Sequence, residues 1–468
     1  MTAAPAADPF WVDYAQARRA WFDGTMTASG LRDWQARRLA VVLDHVTSRS
    51  AFYRDRLAGL DLTEVTPGSL SLLPFTTKAD LRASQHAVLS GGPADALVYY
   101  ETTGTTGPPT PCPRSAKDVM ASNAAVEESW ERVLRHYFGE RLPVIGLMGP
   151  SELYAFGDTF GEVAQRIGAC HVKIWPESPR VGFRKALRLM SELGVEVIVC
   201  APALCLSLAK AAMHYGYDLR RDFSVKLFLV LGEISTPEFA DNVASVWGAA
   251  MHPTLYGSQE ALAIATGCAR GRLHIAQLNY LVEVLDQVSG APLGQTGDGE
   301  LCLTMLVDGI KPLLRYRTGD LVTVRRGDCG CGLPGDMVAV RGRAADGLWL
   351  GERMLHPADL EAAILRDIRG CLGYQVVVDR DTAGQDRLTV LLDLAAAGAR
   401  PAGTGVADRL GRLTGVPVQV EVTDALDPVT ATGSFVSWKA ARIQDDRAER
   451  DLETQTARGV ASRYVVTT

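Results

Sequence analysis

A chain of 468 residues with 48 Lys plus Arg against 54 Asp plus Glu carries a formal net charge of −6. At about 100–200 residues per domain the length suits two or more domains, and 47% hydrophobic against 22% charged residues excludes a disordered chain. The mild acidity offers no concentrated basic face to nucleic acid or to an anionic membrane, so neither is an expected partner. Met1 to Phe10 lacks the basic-then-apolar order of a secretory signal. The most apolar stretch, Val195 to Leu208, is interrupted by Glu196 and Pro202 and is too short for a bilayer. Nine cysteines are an odd and sparse set, unlike a secreted disulfide framework, and a reducing cytoplasm is the expected compartment.

In chain order, the first 60 residues are expected to be helical, because Leu39, Val42, Leu43 and Val46 recur at helical spacing. After Leu73-Pro74-Phe75, a threonine of Thr76-Thr77-Lys78-Ala79-Asp80-Leu81 can cap a further helix. From about residue 140 to 265 short apolar runs alternate with helical patterns. Val144 to Met148, Val195 to Cys200 and Val225 to Val230 read as strands, and Gly161 to Ile167 and Ala203 to Tyr215 as helices. That alternation predicts an α/β domain with a mostly parallel sheet flanked by helices. A β-rich portion follows, with Leu281 to Leu285 and Glu300 to Leu303 as strands. Beyond it, Gln375 to Val378, Leu388 to Leu392 and Val418 to Val422 read as strands of a small, mobile α+β unit, with Gly398 to Gly405 a Gly/Pro-rich connection. The expected division is a large domain, residues 1–342, and a small C-terminal domain, residues 343–468. Cys112, Cys170, Cys200, Cys205, Cys302 and Cys371 lie mostly among apolar neighbours and read as small buried hydrophobes.

The sharpest local pattern is Thr102-Thr103-Gly104-Thr105-Thr106-Gly107-Pro108-Pro109-Thr110. Its glycines allow close backbone approach and positive φ, and its hydroxyls add donors, so it can surround a phosphate or simply turn between strands. It is not a Walker A loop, lacking the Gly-Lys-Ser/Thr ending. Leu255-Tyr256-Gly257-Ser258-Gln259-Glu260 comes next, then Arg315-Tyr316-Arg317-Thr318-Gly319-Asp320-Leu321, Gly342-Arg343, and Thr432-Gly433-Ser434-Phe435-Val436-Ser437-Trp438-Lys439. Singly, Glu260 is a helix-start acid, Asp320 a turn residue and Lys439 a solvated lysine. Together and in this order they resemble the adenylate-forming superfamily of acyl- and aryl-CoA ligases, luciferases and adenylation domains. Ser50-Ala51-Phe52-Tyr53-Arg54 and Leu73 to Arg82 are similar to the phenylacetate–CoA ligase branch.

The resemblance implies that a carboxylate attacks the α-phosphate of ATP to give an acyl-adenylate, and that a thiol, CoA, then displaces AMP. It implies that Thr102 to Gly107 hold the phosphates, that Glu260 binds Mg²⁺ as a hard oxygen ligand, and that Asp320 accepts from the ribose hydroxyls beside Arg343. Gly232, Glu233 and Ile234, with Thr254, Tyr256 and Gly257, would frame the adenine. Lys439, in the small domain, would stabilise charge during adenylation. The acyl pocket would include the loop around Tyr154, Phe156, Gly157 and Asp158, where the two aromatic rings either flank an aromatic acid or belong to the core. The sequence departs from the pattern at Pro108, where many relatives have lysine, at Ala345 in place of a hinge aspartate, and at Leu350-Gly351-Glu352-Arg353.

Cys329-Gly330-Cys331 with Cys268 and His274 make a closed tetrahedral zinc set of the kind some relatives carry, expected to be structural. The bland alternative is two loop thiols and a surface histidine. Three other functions stay open from sequence: transfer of the acyl group to a carrier protein or an amine, activation of nitrite to diazotise an aryl amine, and a degenerate nucleotide-binding regulator. A homodimer is a further possibility that the sequence leaves open.

Overall fold

The computed structural model describes residues 8–102, 108–395, 405–427 and 442–447, with Gln455 and Gly459. Three helices lead: α1 (Pro9–Phe22), α2 (Ala28–Arg49) and α3 (Ala51–Arg56). Each begins at a side-chain cap, with oxygens of Asp8, Thr27 and Ser50 accepting from the N–H of Phe10, Gly30 and Tyr53. The helical spacing in α2 points inward as expected, and Leu39, Val42, Leu43 and Val46 are all buried. Thr77 caps α4 (Lys78–Ser84), and Asp80 returns the bond to the Thr77 N–H, a complete capping box.

Strands β1 (Val98–Glu101) and β2 (Pro111–Arg114) form an antiparallel pair that leads into the long helix α5 (Ala116–Phe138). The predicted alternation follows: β3 (Ile145–Met148), α6 (Ala155–Arg166), β4 (His171–Lys173), α7 (Gly182–Glu192), β5 (Val197–Cys200), α8 (Pro202–His214), β6 (Leu227–Val230), α9 (Pro237–Trp247) and β7 (Ala250–Pro253). The five strands make a parallel sheet in the order β4-β3-β5-β6-β7. Helices cover both faces, so every residue of β3, β5 and β6 is buried and the runs are continuous rather than alternating. One expectation is corrected here. Tyr154 to Asp158 are not a loop but the N-cap and first turn of α6, which starts well before Gly161. Phe156 and Phe160 meet one turn apart, and Gly157 lies so close to Ser151 that a Cβ there would come within 2.2 Å of the hydroxyl oxygen.

The next eight strands, β8 (Leu255–Ser258), β9 (Leu262–Gly267), β10 (Leu273–Ile275), β11 (Tyr280–Leu285), β12 (Pro292–Gly294), β13 (Gly297–Met305), β14 (Tyr316–Arg325) and β15 (Met337–Arg343), form one antiparallel sheet. Its inner face packs on α2 and α3, where Leu39, Val42 and Tyr53 share a core with Val282, Leu301 and Val322. After β15 come the hairpin β16 (Leu348–Leu350) and β17 (Arg353–Leu355), then α10 (Pro357–Leu365), β18 (Cys371–Arg380), β19 (Asp386–Leu394), α11 (Gly405–Thr414), β20 (Val418–Val422) and β21 (Ile443–Asp445). A central antiparallel pair, β18 and β19, is flanked by parallel partners in the order β20-β19-β18-β21. This C-terminal sheet is not isolated. Leu360, Ile364, Tyr374 and Val376 belong to the same apolar cluster as Leu206, Phe239 and Val243 of α8 and α9.

Five of the six scattered cysteines are buried as expected; Cys170 is exposed, because it sits in the link that leads into the edge strand β4. Among the described residues no helix is long and apolar enough to cross a membrane.

Candidate active site

Three strands of the antiparallel sheet, β8, β14 and β15, bring Tyr256, Asp320 and Arg343 together. The Tyr256 hydroxyl donates to Asp320 Oδ2 at 2.6 Å, and Arg343 Nε stands 3.6 Å from Oδ1 of the same carboxylate. Asp320 and Arg343 are direct cross-strand partners, so the pairing register itself sets them side by side. Burial raises the Asp320 carboxyl, against the pull of Arg343 and Tyr256, and burial together with the Asp320 charge raises the Tyr256 hydroxyl. Gly257 is required by its hairpin, since a Cβ would fall 2.0 Å from the Leu262 carbonyl oxygen.

Strand β14 is entered through Arg315, whose φ of +47° is unfavourable for any residue but glycine. The surroundings hold it there. Its Nε lies 2.9 Å from Glu283 Oε2, Nη1 donates to the Leu73 carbonyl at 2.8 Å, and the guanidinium covers the Phe75 ring at 4.1 Å. The backbone of Thr76 joins the same entry, donating to Arg315 O at 3.0 Å and accepting from Arg317 N at 2.9 Å. That contact aims the start of α4 at the site. Lys78 Nζ consequently lies 3.5 Å from Glu260 Oε1.

Glu260 itself is 4% exposed. Beneath it the fully buried Lys311 donates to the Pro111 carbonyl at 2.7 Å, with Cys112 Sγ at 3.3 Å. Burial pushes the Glu260 carboxyl up, yet Lys78 and Lys311 outweigh it and hold the group below the usual carboxylate range. Neither lysine stood out in the sequence. Lys78 lies within the Leu73–Arg82 segment but has no role assigned there, and Lys311 reaches the carboxylate only through the fold.

The base of the glycine-threonine loop is closed by Thr102, whose Oγ1 accepts from Thr110 N at 2.9 Å and whose N–H donates to Thr110 O at 3.2 Å. Thr103, Gly104, Thr105, Thr106, Gly107 and Lys439 lie outside the described residues. Gln259 ties the end of β1, which leads into that loop, to the start of α6: its amide donates to Glu101 O at 3.5 Å and to Leu153 O at 3.1 Å, and its Oε1 accepts from Ala155 N at 3.3 Å. Of the residues expected in the acyl pocket, Phe156 packs edge-on to Phe160 at 5.1 Å against the Trp130 core, and Asp158 accepts from the Tyr100 hydroxyl at 2.9 Å. Tyr154 is half-buried at the N-cap of α6.

The segments expected around the adenine converge in part. Gly232 takes φ +90°, and Ile234 Cδ1 lies 3.5 Å from where a Cβ on Gly342 would stand. Glu233 turns its carboxylate inward, accepting from Ala203 N at 3.3 Å. The Thr254 hydroxyl is taken by Trp130 Nε1 at 2.8 Å, which fixes that residue in the core behind Tyr256.

Apart from this site, Cys268 of the β9–β10 turn, His274 of β10, and Cys329 and Cys331 of the β14–β15 turn converge, with all ligand atoms within 4.8 Å of one another. Cys268 and Cys329 sulfurs are 3.8 Å apart, and Cys331 Sγ lies 3.4 Å from His274 Nε2. His274 Nδ1 faces the Gly335 carbonyl at 3.2 Å, which leaves Nε2 turned to the thiols.

The AMP-binding enzyme model matches residues 28–305. The chain belongs to that family. Similar to it are phenylacetate-coenzyme A ligases from Thermus thermophilus, 29% identical over 76% of this chain and 80% of that protein, and from Pseudomonas putida, 26% identical over 75% and 80%. Among solved structures, 2-hydroxyisobutyryl-CoA ligase in its postadenylation state, with 2-HIB-AMP, superimposes with a TM-score of 0.73 at 19% identity, covering 99% of this chain and 96% of that one. The same ligase with 2-HIB-AMP and CoA in the thioesterification state gives 0.62 at 20% identity, covering 94% of each. Within the family the chain is an AMP-forming acid–thiol ligase with the α/β architecture of adenylate-forming enzymes.

Proposed function

We propose that the chain converts an aromatic carboxylic acid, in an ATP- and Mg²⁺-dependent reaction, first to an acyl-AMP and then to a CoA thioester. The observation that carries this reading is the Tyr256–Asp320–Arg343 triad beside a Glu260 that is held ionised. In the first step the acid's carboxylate oxygen attacks the α-phosphorus, and pyrophosphate leaves with the bridging electron pair. In the second, the CoA sulfur attacks the acyl carbon and AMP departs with its phosphate oxygen. Asp320 receives the ribose hydroxyls, while Tyr256 fixes its orientation and Arg343 its charge. Segment 232–234 lines the adenine. The loop based on Thr102 takes the β- and γ-phosphates, with Lys78 supplying the cation that Pro108 does not. Lys439 approaches from a C-terminal domain, residues 343–468, and neutralises charge as the phosphoanhydride of ATP breaks and the mixed acyl–phosphate anhydride forms.

An ionised, buried carboxylate is the donor that a small hard cation selects, so Glu260 would hold Mg²⁺, which when bound neutralises phosphate charge. The cysteine cluster suits a structural Zn²⁺. A tetrahedron with Zn–S bonds of about 2.3 Å has edges of about 3.8 Å, the separation of the Cys268 and Cys329 sulfurs. With four protein donors no coordination place remains for substrate.

The aromatic assignment rests on the phenylacetate-coenzyme A ligases among the relatives and on Tyr154 beside the α6 N-terminus. It is tested by incubating the protein with Mg²⁺-ATP and a panel of aromatic and aliphatic acids, with and without CoA, and following AMP and thioester by mass spectrometry. Phenylacetate-like acids should give the highest kcat/KM. Preference for short aliphatic acids would overturn the aromatic assignment, and no AMP with any acid would overturn the ligase reading.

A further inference from the structure

A buried ion cluster lies at the seam where the C-terminal sheet meets the parallel-sheet layer. Arg442, 6% exposed, immediately precedes β21, and its guanidinium carbon sits 5.3 Å from the Tyr374 ring centroid. Two carboxylates act on it from different parts of the chain, Glu233 from the segment after β6 and Glu361 from α10. Glu361 is almost fully buried and holds both sides of the seam. Its Oε1 accepts from the N–H of Thr236, the N-cap of α9, at 2.8 Å, and its Oε2 accepts from the Tyr374 hydroxyl of β18 at 2.7 Å. Glu233 Oε1 is buried and has no hydrogen-bond partner; burial raises this carboxyl above its usual range, and the Arg442 charge with the Ala203 N–H offsets that only in part.

We infer that Arg442 is a positioning residue for the first half-reaction: clamped over Tyr374, whose hydroxyl meets Glu361 at the α9 N-cap, it seats the C-terminal unit against the strand-end segment 232–234. The inference rests on the reading of that segment as the adenine wall and of Lys439, three residues earlier in sequence, as the adenylation lysine. Its physical content is a division of labour within one residue. The backbone around Glu233 faces the nucleotide, while its side chain reads whether the C-terminal unit is docked. A planar, permanently charged guanidinium suits that role, because it can face two carboxylates and a ring at once where a lysine meets only one. On this inference the contact belongs to the docked arrangement, stabilises adenylation and is broken before any rearrangement for thioester formation.

The test separates the half-reactions. Arg442→Met should lower acid-dependent ATP–pyrophosphate exchange at saturating ATP by about a hundredfold, with the KM for ATP changed less than about threefold. Thioester formation from supplied acyl-AMP and CoA should stay near the wild-type rate. Arg442→Lys should recover part of the exchange, and Glu361→Gln, which keeps the shape and removes the charge, should lower the same half-reaction by a smaller factor. Should Arg442→Met fail to fold, the Lys and Gln variants carry the comparison. Equal loss in both half-reactions, or no loss in either, overturns the inference. Lys439→Ala run in parallel distinguishes the two levels: if it keeps pyrophosphate exchange, the Lys439 reading fails and the inference with it, whereas its loss alongside an unaffected Arg442→Met removes the clamp only.

Discussion

At the residue scale, the balance of charge around Glu260 decides what it can do. A carboxylate 4% exposed would ordinarily take up a proton, and Lys78 and Lys311 prevent it. Glu260→Gln should therefore lower pyrophosphate formation by about a hundredfold or more while the circular-dichroism spectrum is unchanged; near-normal pyrophosphate release from folded protein would remove Glu260 from the site. Lys78 is nearly half exposed, so its effect is screened. Lys78→Ala should raise the KM for ATP by about three- to tenfold, and the difference should shrink as salt is added. A KM unchanged at low salt would show that Lys78 only balances Glu260. Asp320 behaves in the opposite sense to Glu260. Its folded pKa is raised by burial, so the folded state binds the proton more tightly than the unfolded chain does. Its linkage contribution to stability is present at low pH and is lost as pH rises through the folded value. Binding of ribose hydroxyls needs the ionised form, so the KM for ATP should climb as pH falls from neutrality into the mildly acidic range. Asp320→Asn should weaken ATP at all pH values and lose that dependence, as steady-state kinetics across pH would read.

At the element scale, what was legible in the sequence follows from period and capping. Val195 to Cys200 and Val225 to Val230 were readable because a parallel sheet covered on both faces leaves only apolar residues, and the structure trims each by two residues at its start. The Thr77 capping box declares the start of α4 by local chemistry alone. The start of α6 was hidden because Gly157 weakens the helical signal, and only the tight approach to Ser151 explains why a glycine stands there. The Tyr256, Glu260, Asp320 and Arg343 positions were legible because each lies in a short, ordered motif. Lys311 lies in none, and although Lys78 and Gln259 lie in such motifs, their contacts were not legible, since these arise from pairings between segments far apart in the chain. The cysteine cluster joins two turns of one sheet, and a bound Zn²⁺ would cross-link them. Cys329→Ser should lose the metal and lower the thermal midpoint by several degrees, with kcat at low temperature little changed. Freshly purified wild-type protein, prepared without chelator, should hold one zinc per chain by elemental analysis; a value well below one would dismiss the site.

At the scale of the whole molecule, the C-terminal sheet shares an apolar cluster with α8 and α9, and this arrangement has to loosen if the unit moves between half-reactions. Asn242 reports on that seam. It is fully buried on α9, donates to Cys371 O at 2.8 Å and accepts from Cys371 N at 2.9 Å, so the Cys371 amide proton is bonded across the junction rather than to its own sheet. Hydrogen exchange at that amide therefore measures opening of the seam, and the amides of β5 and β6 measure the unmoved layer. With Mg²⁺-ATP bound, protection at Cys371 should match or exceed that of the free protein. When a non-hydrolysable acyl-adenylate analogue and CoA are added together, it should fall by at least about tenfold while β5 and β6 stay protected, provided the unit leaves its docked position for thioester formation. Asn242→Ala removes both bonds from a buried amide and should cost about 2–3 kcal/mol, exposing the same opening without any ligand. Protection at Cys371 that stays constant across all these states would mean that the two units act as one rigid body, and that both half-reactions take place in a single arrangement.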